Sequence, residues 1–193
     1  PAIREWKGLE GTFTLNDNSR IVIASDALQE KAEMIAFYFE EMLHRQLEVV
    51  VGTPQNGDIY LTFNDHKELG EEGYCIEIQD YVKVAAYDET GILYAGMTLT
   101  QILSLNKEEP SLPKGIIRDY PAYEIRAMMI DVGRFYMPLN YLEEVSKYMA
   151  YYKINEVHVH MNDTGGEQSA AYRIESKKYP EIKDLTGVRY NEK

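Results

Sequence analysis

The feature that most constrains this chain is the stretch from Arg126 to Asp163, which has the pattern of a strand, a loop, a helix and a second strand. Ala127 to Ile130 is a short unbroken apolar run, the pattern of a strand covered on both faces. Pro138 can open a helix. Leu142, Val145, Met149 and Tyr152 then recur at steps of three and four, which gives that helix one apolar face. Asn155 to Met161 forms the next strand. Strand, crossover helix and strand make a βαβ unit with parallel strands. Polar groups gather where such units put their chemistry: Asp131 and Arg134 follow the first strand, Asn162 and Asp163 the second. The carboxyl ends of parallel strands carry the active site in α/β folds, so the pattern points to a polar ligand pocket. A surface ion pair is the equally available bland reading.

The remainder of the sequence limits what surrounds this unit. With 193 residues, 45% hydrophobic and 27% charged, the composition is globular and allows one large or two small domains. Lys and Arg number 20 against 32 Asp and Glu, a formal net charge of -12. Nucleic-acid phosphates would be repelled by that charge, which excludes them as a partner class. One cysteine, Cys75, rules out an intrachain disulfide. No apolar run approaches the ~20 residues of a membrane span, so no membrane partner is expected. The sequence starts at Pro1 and ends soon after the second strand of the unit. Two parallel strands do not complete a domain, so the sequence reads as a fragment of a longer protein.

Ahead of the βαβ unit, Trp6, Phe13 and Leu15 mark a short extended opening, and Arg20–Ala24 a strand. Asp26 is placed to cap a helix with Gln29 at the capping-box position, its buried face marked by Leu28, Ala32, Ile35, Phe39 and Met42. After a turn at Gly52–Pro54, Asp58–Phe63 alternates as a strand. Tyr74–Ile78 and Tyr81–Ala85 form a hairpin turning at Gln79-Asp80. Asp88 caps a second helix, from about Glu89 to Leu105, in which Gly96 allows close approach to a sheet. The first part is therefore α+β, a small sheet with two helices on one face. Asn106–Pro121, with Pro110, Pro113, Gly115 and Pro121, reads as the connection onward, holding a short strand at Ile116–Arg118.

Four chemistries compete for the polar residues. His158 and His160, two apart on a strand, point to one face, and with Asp163 they form a donor set that suits zinc. A His-x-His at a strand end resembles metal-dependent amidohydrolases, although there it follows the first barrel strand and here the second. Gly165-Gly166 follows a strand, but the Lys-Ser/Thr of a phosphate loop is absent. Cys75 lies mid-strand, away from the histidines, and reads as a buried thiol. The 16 tyrosines favour a carbohydrate site weakly. The carboxylate pairs Glu40-Glu41, Glu71-Glu72 and Glu143-Glu144 read as solvated charges rather than as a glycosidase pair.

The segment Asp119-Tyr-Pro-Ala-Tyr-Glu-Ile-Arg-Ala-Met-Met-Ile-Asp-Val-Gly-Arg134 resembles the start of the catalytic barrel in family 20 glycoside hydrolases, the β-N-acetylhexosaminidases. The likeness continues through Met149–Asn155, His158-Val-His160, Asn162-Asp163 and Tyr172–Glu181. Gly91–Leu103 resembles the second helix of the non-catalytic α+β domain that precedes the barrel in that family. The resemblance implies a non-catalytic α+β domain over 1–118 and the first β-α-β of a truncated TIM (β/α)8 barrel over 119–193. It implies that Arg134 hydrogen-bonds the outer hydroxyls of a terminal N-acetylhexosamine. A guanidinium fork suits two adjacent hydroxyls. Asp163 matches a pocket aspartate that supports the catalytic residues.

The family's mechanism is substrate-assisted, an exception to the two-carboxylate scheme. The substrate's acetamido oxygen attacks the anomeric carbon, an Asp orients it, and the adjacent Glu is the general acid/base. That pair lies on a later barrel strand, so none of the catalytic residues is expected in this chain. No cofactor is implied. Thr164-Gly-Gly-Glu167 and Phe135 depart from the common pattern, in which an Asp followed by Gln-Gly-Trp and a His stand there. Both departures resemble the branch with lacto-N-biosidases and some bacterial surface hexosaminidases. The expected partner is a glycan ending in β-N-acetylhexosamine; the unfinished barrel is expected to bury its open apolar sheet surface against the first domain, to pair with another copy, or to stay partly disordered. The alternatives are an inactive carbohydrate-binding relative and a metal-dependent barrel hydrolase using His158 and His160.

Overall fold

The computed structural model describes residues 2–64, 67–161 and 177–179. The chain divides into two compact units, Pro1–Ala122 and Tyr123–Lys193. In the first, β1 (Glu5–Thr14), β2 (Ile21–Ile23), β3 (Val49–Val51), β4 (Ile59–Phe63), β5 (Tyr74–Ile78), β6 (Val82–Ala86) and β7 (Ser111–Asp119) form one seven-stranded sheet in the order β1-β7-β5-β6-β4-β2-β3. The sheet is mixed: β1, β7, β5 and β6 pair antiparallel, whereas β6, β4, β2 and β3 pair parallel. Two helices, α1 (Gln29–Leu43) and α2 (Glu89–Leu103), pack on each other and on the strands, and so share one face.

Period-two patterning explains which face is covered. Ile59 and Leu61 of β4, Tyr74, Ile76 and Ile78 of β5, and Val82, Val84 and Ala86 of β6 are buried. Their alternates Tyr60, Thr62, Cys75, Glu77 and Lys83 are half-buried on the opposite face. The hairpin turns at Gln79-Asp80 as the sequence predicts, and the strand expected over Asp58–Phe63 spans Ile59–Phe63.

Three local expectations are corrected. Asp26 does not cap α1: residues Asp26–Leu28 form a 3-10 turn, and Gln29 spends its amide on Glu33 instead. The stretch read as a connection contains β7, nine residues long and second from the sheet edge. Tertiary packing admits its breakers. Pro113, which has no N–H, pairs with Thr12 beside a register irregularity in β1. At Gly115 a Cβ would stand 2.5 Å from the Lys7 carbonyl oxygen and 2.3 Å from the Trp6 ring. Gly96, finally, admits α1 rather than the sheet, since its Cβ would lie 2.4 Å from Ile35 Cγ1.

Asp88 does cap α2, accepting from Gly91 N at 2.7 Å. At β7's end, buried Asp119 accepts from Tyr74 Oη at 2.5 Å and from Arg4 N at 3.2 Å, which ties β5 and the start of β1 to it.

Gly96 gives a stability prediction. In an open helix, Gly→Ala gains about 1 kcal/mol. Here Ile35 is fully buried and must be displaced, and overpacking costs about 1–3 kcal/mol. Gly96→Ala is expected to lower stability by roughly 1 kcal/mol, read as a fall in the denaturation midpoint. A rise would mean that Ile35 repacks without cost.

The second unit contains β8 (Ala127–Asp131), α3 (Leu139–Tyr151) and β9 (Glu156–His160). β8 and β9 are parallel neighbours joined through α3, the β–α–β unit predicted for this stretch. β8 is not covered on both faces: Ile130 is buried, but Met128 and Met129 are exposed, as are Val157 and Val159 of β9. One helix cannot cover both sides of a two-stranded sheet. Pro138 stands one position earlier than predicted, as the N-cap of α3 rather than inside it.

Candidate active site

The parallel register aligns Ala127 with Glu156 and Asp131 with His160, so the two strands end side by side. The turn leaving β8 is fastened to the end of β9, since Val132 N and Gly133 N both donate to His160 O, at 2.9 and 3.1 Å. Val132 is fully buried and anchors the turn. Asp131 then holds Arg134 twice. Its Oδ1 accepts from Arg134 N at 3.0 Å, and its Oδ2 lies 3.4 Å from Arg134 Nε. The Asp131 side chain is only 21% exposed, whereas that of Arg134 is 67% exposed. A carboxylate fixed on a strand end thus restrains a largely exposed guanidinium in the turn that leaves β8.

A second polar knot closes the opposite end of the strands. Asn155 Oδ1 accepts from Arg126 N at 2.8 Å, and its Nδ2 donates to Glu124 O at 2.8 Å. Arg126 Nε donates to Lys153 O at 2.7 Å, and Lys153 itself adopts a positive φ of 60°. These groups lie at the amino ends, where they set the strand register and do not face the Asp131–Arg134 end.

His158 and His160 share one face, with ring centroids 6.1 Å apart. Among the described residues, no group of three or more His, Cys, Asp or Glu could hold a metal ion. Asn162, Asp163 and Thr164–Glu167, with Gly165-Gly166 among them, lie outside the described residues, so of the two residues expected to bind substrate, Arg134 and Asp163, only Arg134 is described. Cys75 sits on β5 in the first unit. Burial, with the neighbouring Glu77 charge, raises its thiol above the usual range against the opposing pull of Arg118 and Lys83, an environment unsuited to a nucleophilic thiolate.

Comparison with known proteins decides the family. The model described as glycosyl hydrolase family 20, domain 2, matches residues 1–120. The chain belongs to glycosyl hydrolase family 20. The family's catalytic-domain model matches residues 123–193, so the family 20 likeness runs through both units. Among the relatives, a beta-hexosaminidase of Porphyromonas gingivalis is 28% identical over 189 residues, covering 93% of this chain and 24% of the relative. A beta-hexosaminidase of Akkermansia muciniphila is 32% identical over 107 residues, covering 55% of this chain and 21% of the relative. The family 20 chain therefore spans about a quarter of the length of these relatives, at 24% and 21%. The solved GH20 beta-N-acetylhexosaminidase of Streptomyces coelicolor A3(2) superposes with a TM-score of 0.80 at 21% identity, over 98% of this chain and 40% of that one. The superposition shows a shared fold. The resemblance drawn from Asp119–Arg134 and Gly91–Leu103 is thereby borne out at the level of the family.

Proposed function

We propose that these 193 residues serve a glycosidase that removes terminal β-linked N-acetylhexosamine, or a disaccharide ending in it, from glycans. The observation that carries this reading is the match of residues 123–193 to the family's catalytic-domain model. The second unit then supplies the opening β-α-β of a (β/α)8 barrel, and the first unit, which holds Asp119 at the end of β7, the non-catalytic domain ahead of it. Arg134 donates to the hydroxyls of the terminal sugar, and Asp163, after the second strand, supports the catalytic groups. The acetamido oxygen of the substrate attacks the anomeric carbon as an acid protonates the leaving oxygen. Water then opens the cyclic intermediate, with net retention. The Asp-Glu pair for these steps belongs to a later strand.

The test compares this chain with a protein that continues through a complete barrel. The chain alone should leave a chromogenic β-N-acetylglucosaminide intact, because the pair that orients the acetamide and transfers the proton belongs to a later strand. The exposed Met128, Met129, Val157 and Val159 should also make it self-associate in sedimentation, as uncovered apolar sheet surface does. The completed protein should turn the substrate over. Turnover by the chain alone would refute the placement of the catalytic pair, and an inert but sugar-binding completed protein would establish the carbohydrate-binding alternative.

A further inference from the structure

The sheet face opposite the helices carries a depression that the barrel chemistry does not use. Register explains its origin. Thr62, Ala85, Cys75 and Arg118 form one cross-strand row over β4, β6, β5 and β7. Tyr60, Lys83, Glu77 and Ile116 form the next row on the same face. The first row holds three small side chains side by side, so the surface sinks there to a volume of about 330 Å³. The Tyr60 ring, the Lys83–Glu77 ion pair at 3.0 Å and, beyond Phe63, Asn64 form the walls. Tyr81 braces the Tyr60 ring edge-to-face, at 6.5 Å between centroids and 78°.

We infer that this trough is a second saccharide site, binding one pyranose unit of a glycan against the Tyr60 ring. Three observations select that ligand class. The volume is at the small end of ligand pockets. The charged wall is balanced, one Lys against one Glu, which disfavours a charged ligand but offers donors and acceptors to a neutral polyol. An aromatic ring held in a fixed orientation presents a flat apolar surface to the C–H face of a sugar. The site lies within the first unit, whereas Arg134 belongs to the second. Its choice of glycan rests on the proposed function, whereas its existence does not.

Cys75, the sole cysteine of the sequence, lines the trough and reports on it directly. Maleimide labelling of the 193-residue chain would be followed with and without N-acetylglucosamine or its β-1,4-linked disaccharide. Occupancy should slow labelling about ten-fold at ten times the dissociation constant. Tyr60→Ala, and independently Glu77→Gln, should abolish this protection, each judged against its own sugar-free rate. Three outcomes would overturn the inference: no protection, equal protection in both variants, or protection by inorganic phosphate and not by sugar. Protection without turnover in the completed protein would leave this site standing and the proposed activity refuted. Turnover without protection would do the reverse.

Discussion

Arg134→Ala in the completed protein is expected to lower kcat/KM for a β-N-acetylhexosaminide by about ten-fold to several thousand-fold. A hydrogen bond from a charged group contributes roughly 1.5–3 kcal/mol, and one or two such bonds to sugar hydroxyls are lost. The geometry favours a large effect. Asp131 already restrains the arginine from a position 21% exposed, so less conformational freedom is lost when substrate binds. Lysine should not rescue the change, because a point charge cannot reproduce the fork. A loss confined to KM would identify uniform binding, and a loss in kcat a contact that tightens in the transition state. Full activity in Arg134→Ala would remove this strand end from the substrate pocket.

That strand end was legible in the sequence for a simple reason. An apolar run followed by Asp131 and Arg134 fixes both the element and the position of its polar residues, and the β8–β9 pairing keeps them there. Asp88 was legible on the same local basis. Where the cause is distant in sequence, local pattern does not reveal the element. Pro113 and Gly115 carry turn propensity, yet β1 on one side and β5 on the other hold them in a strand. Asp26 and Gln29 have capping-box spacing, but a 3-10 turn intervenes. Val49–Val51, before the turn at Gly52–Pro54, is too short a strand to carry periodicity and gains its identity from parallel pairing with β2. The trough was invisible for a related reason: Thr62, Ala85 and Cys75 become neighbours only through strand register.

Asp58→Ala is expected to give a large loss of fold stability, roughly 3 kcal/mol, or a fall of about 6–12 °C in Tm for a chain of this size. Asp58 is 2% exposed at the start of β4. Its carboxylate accepts from Arg20 N and Nε at 3.2 Å, Arg20 Nη2 at 2.6 Å and Gln55 N at 2.8 Å. One side chain thereby joins the start of β2 to the turn before β4, and alanine would leave those donors without their acceptor. The pH dependence follows from the same contacts. Burial pushes the carboxyl up, but the Arg20 bond and charge, with the backbone N–H groups of Gln55 and Arg20, outweigh it and hold it below the ordinary value of 3.8. A group lowered on folding stabilises the folded state above its unfolded pKa and loses that contribution as pH falls through its folded pKa. The gap between wild type and Asp58→Ala should therefore be widest near neutral pH and narrow as pH drops below about 4. Denaturant titrations at both ends of that range measure it. A gap that stays constant would show that Asp58 acts through packing alone, and that the ion pair with Arg20 adds nothing to the fold.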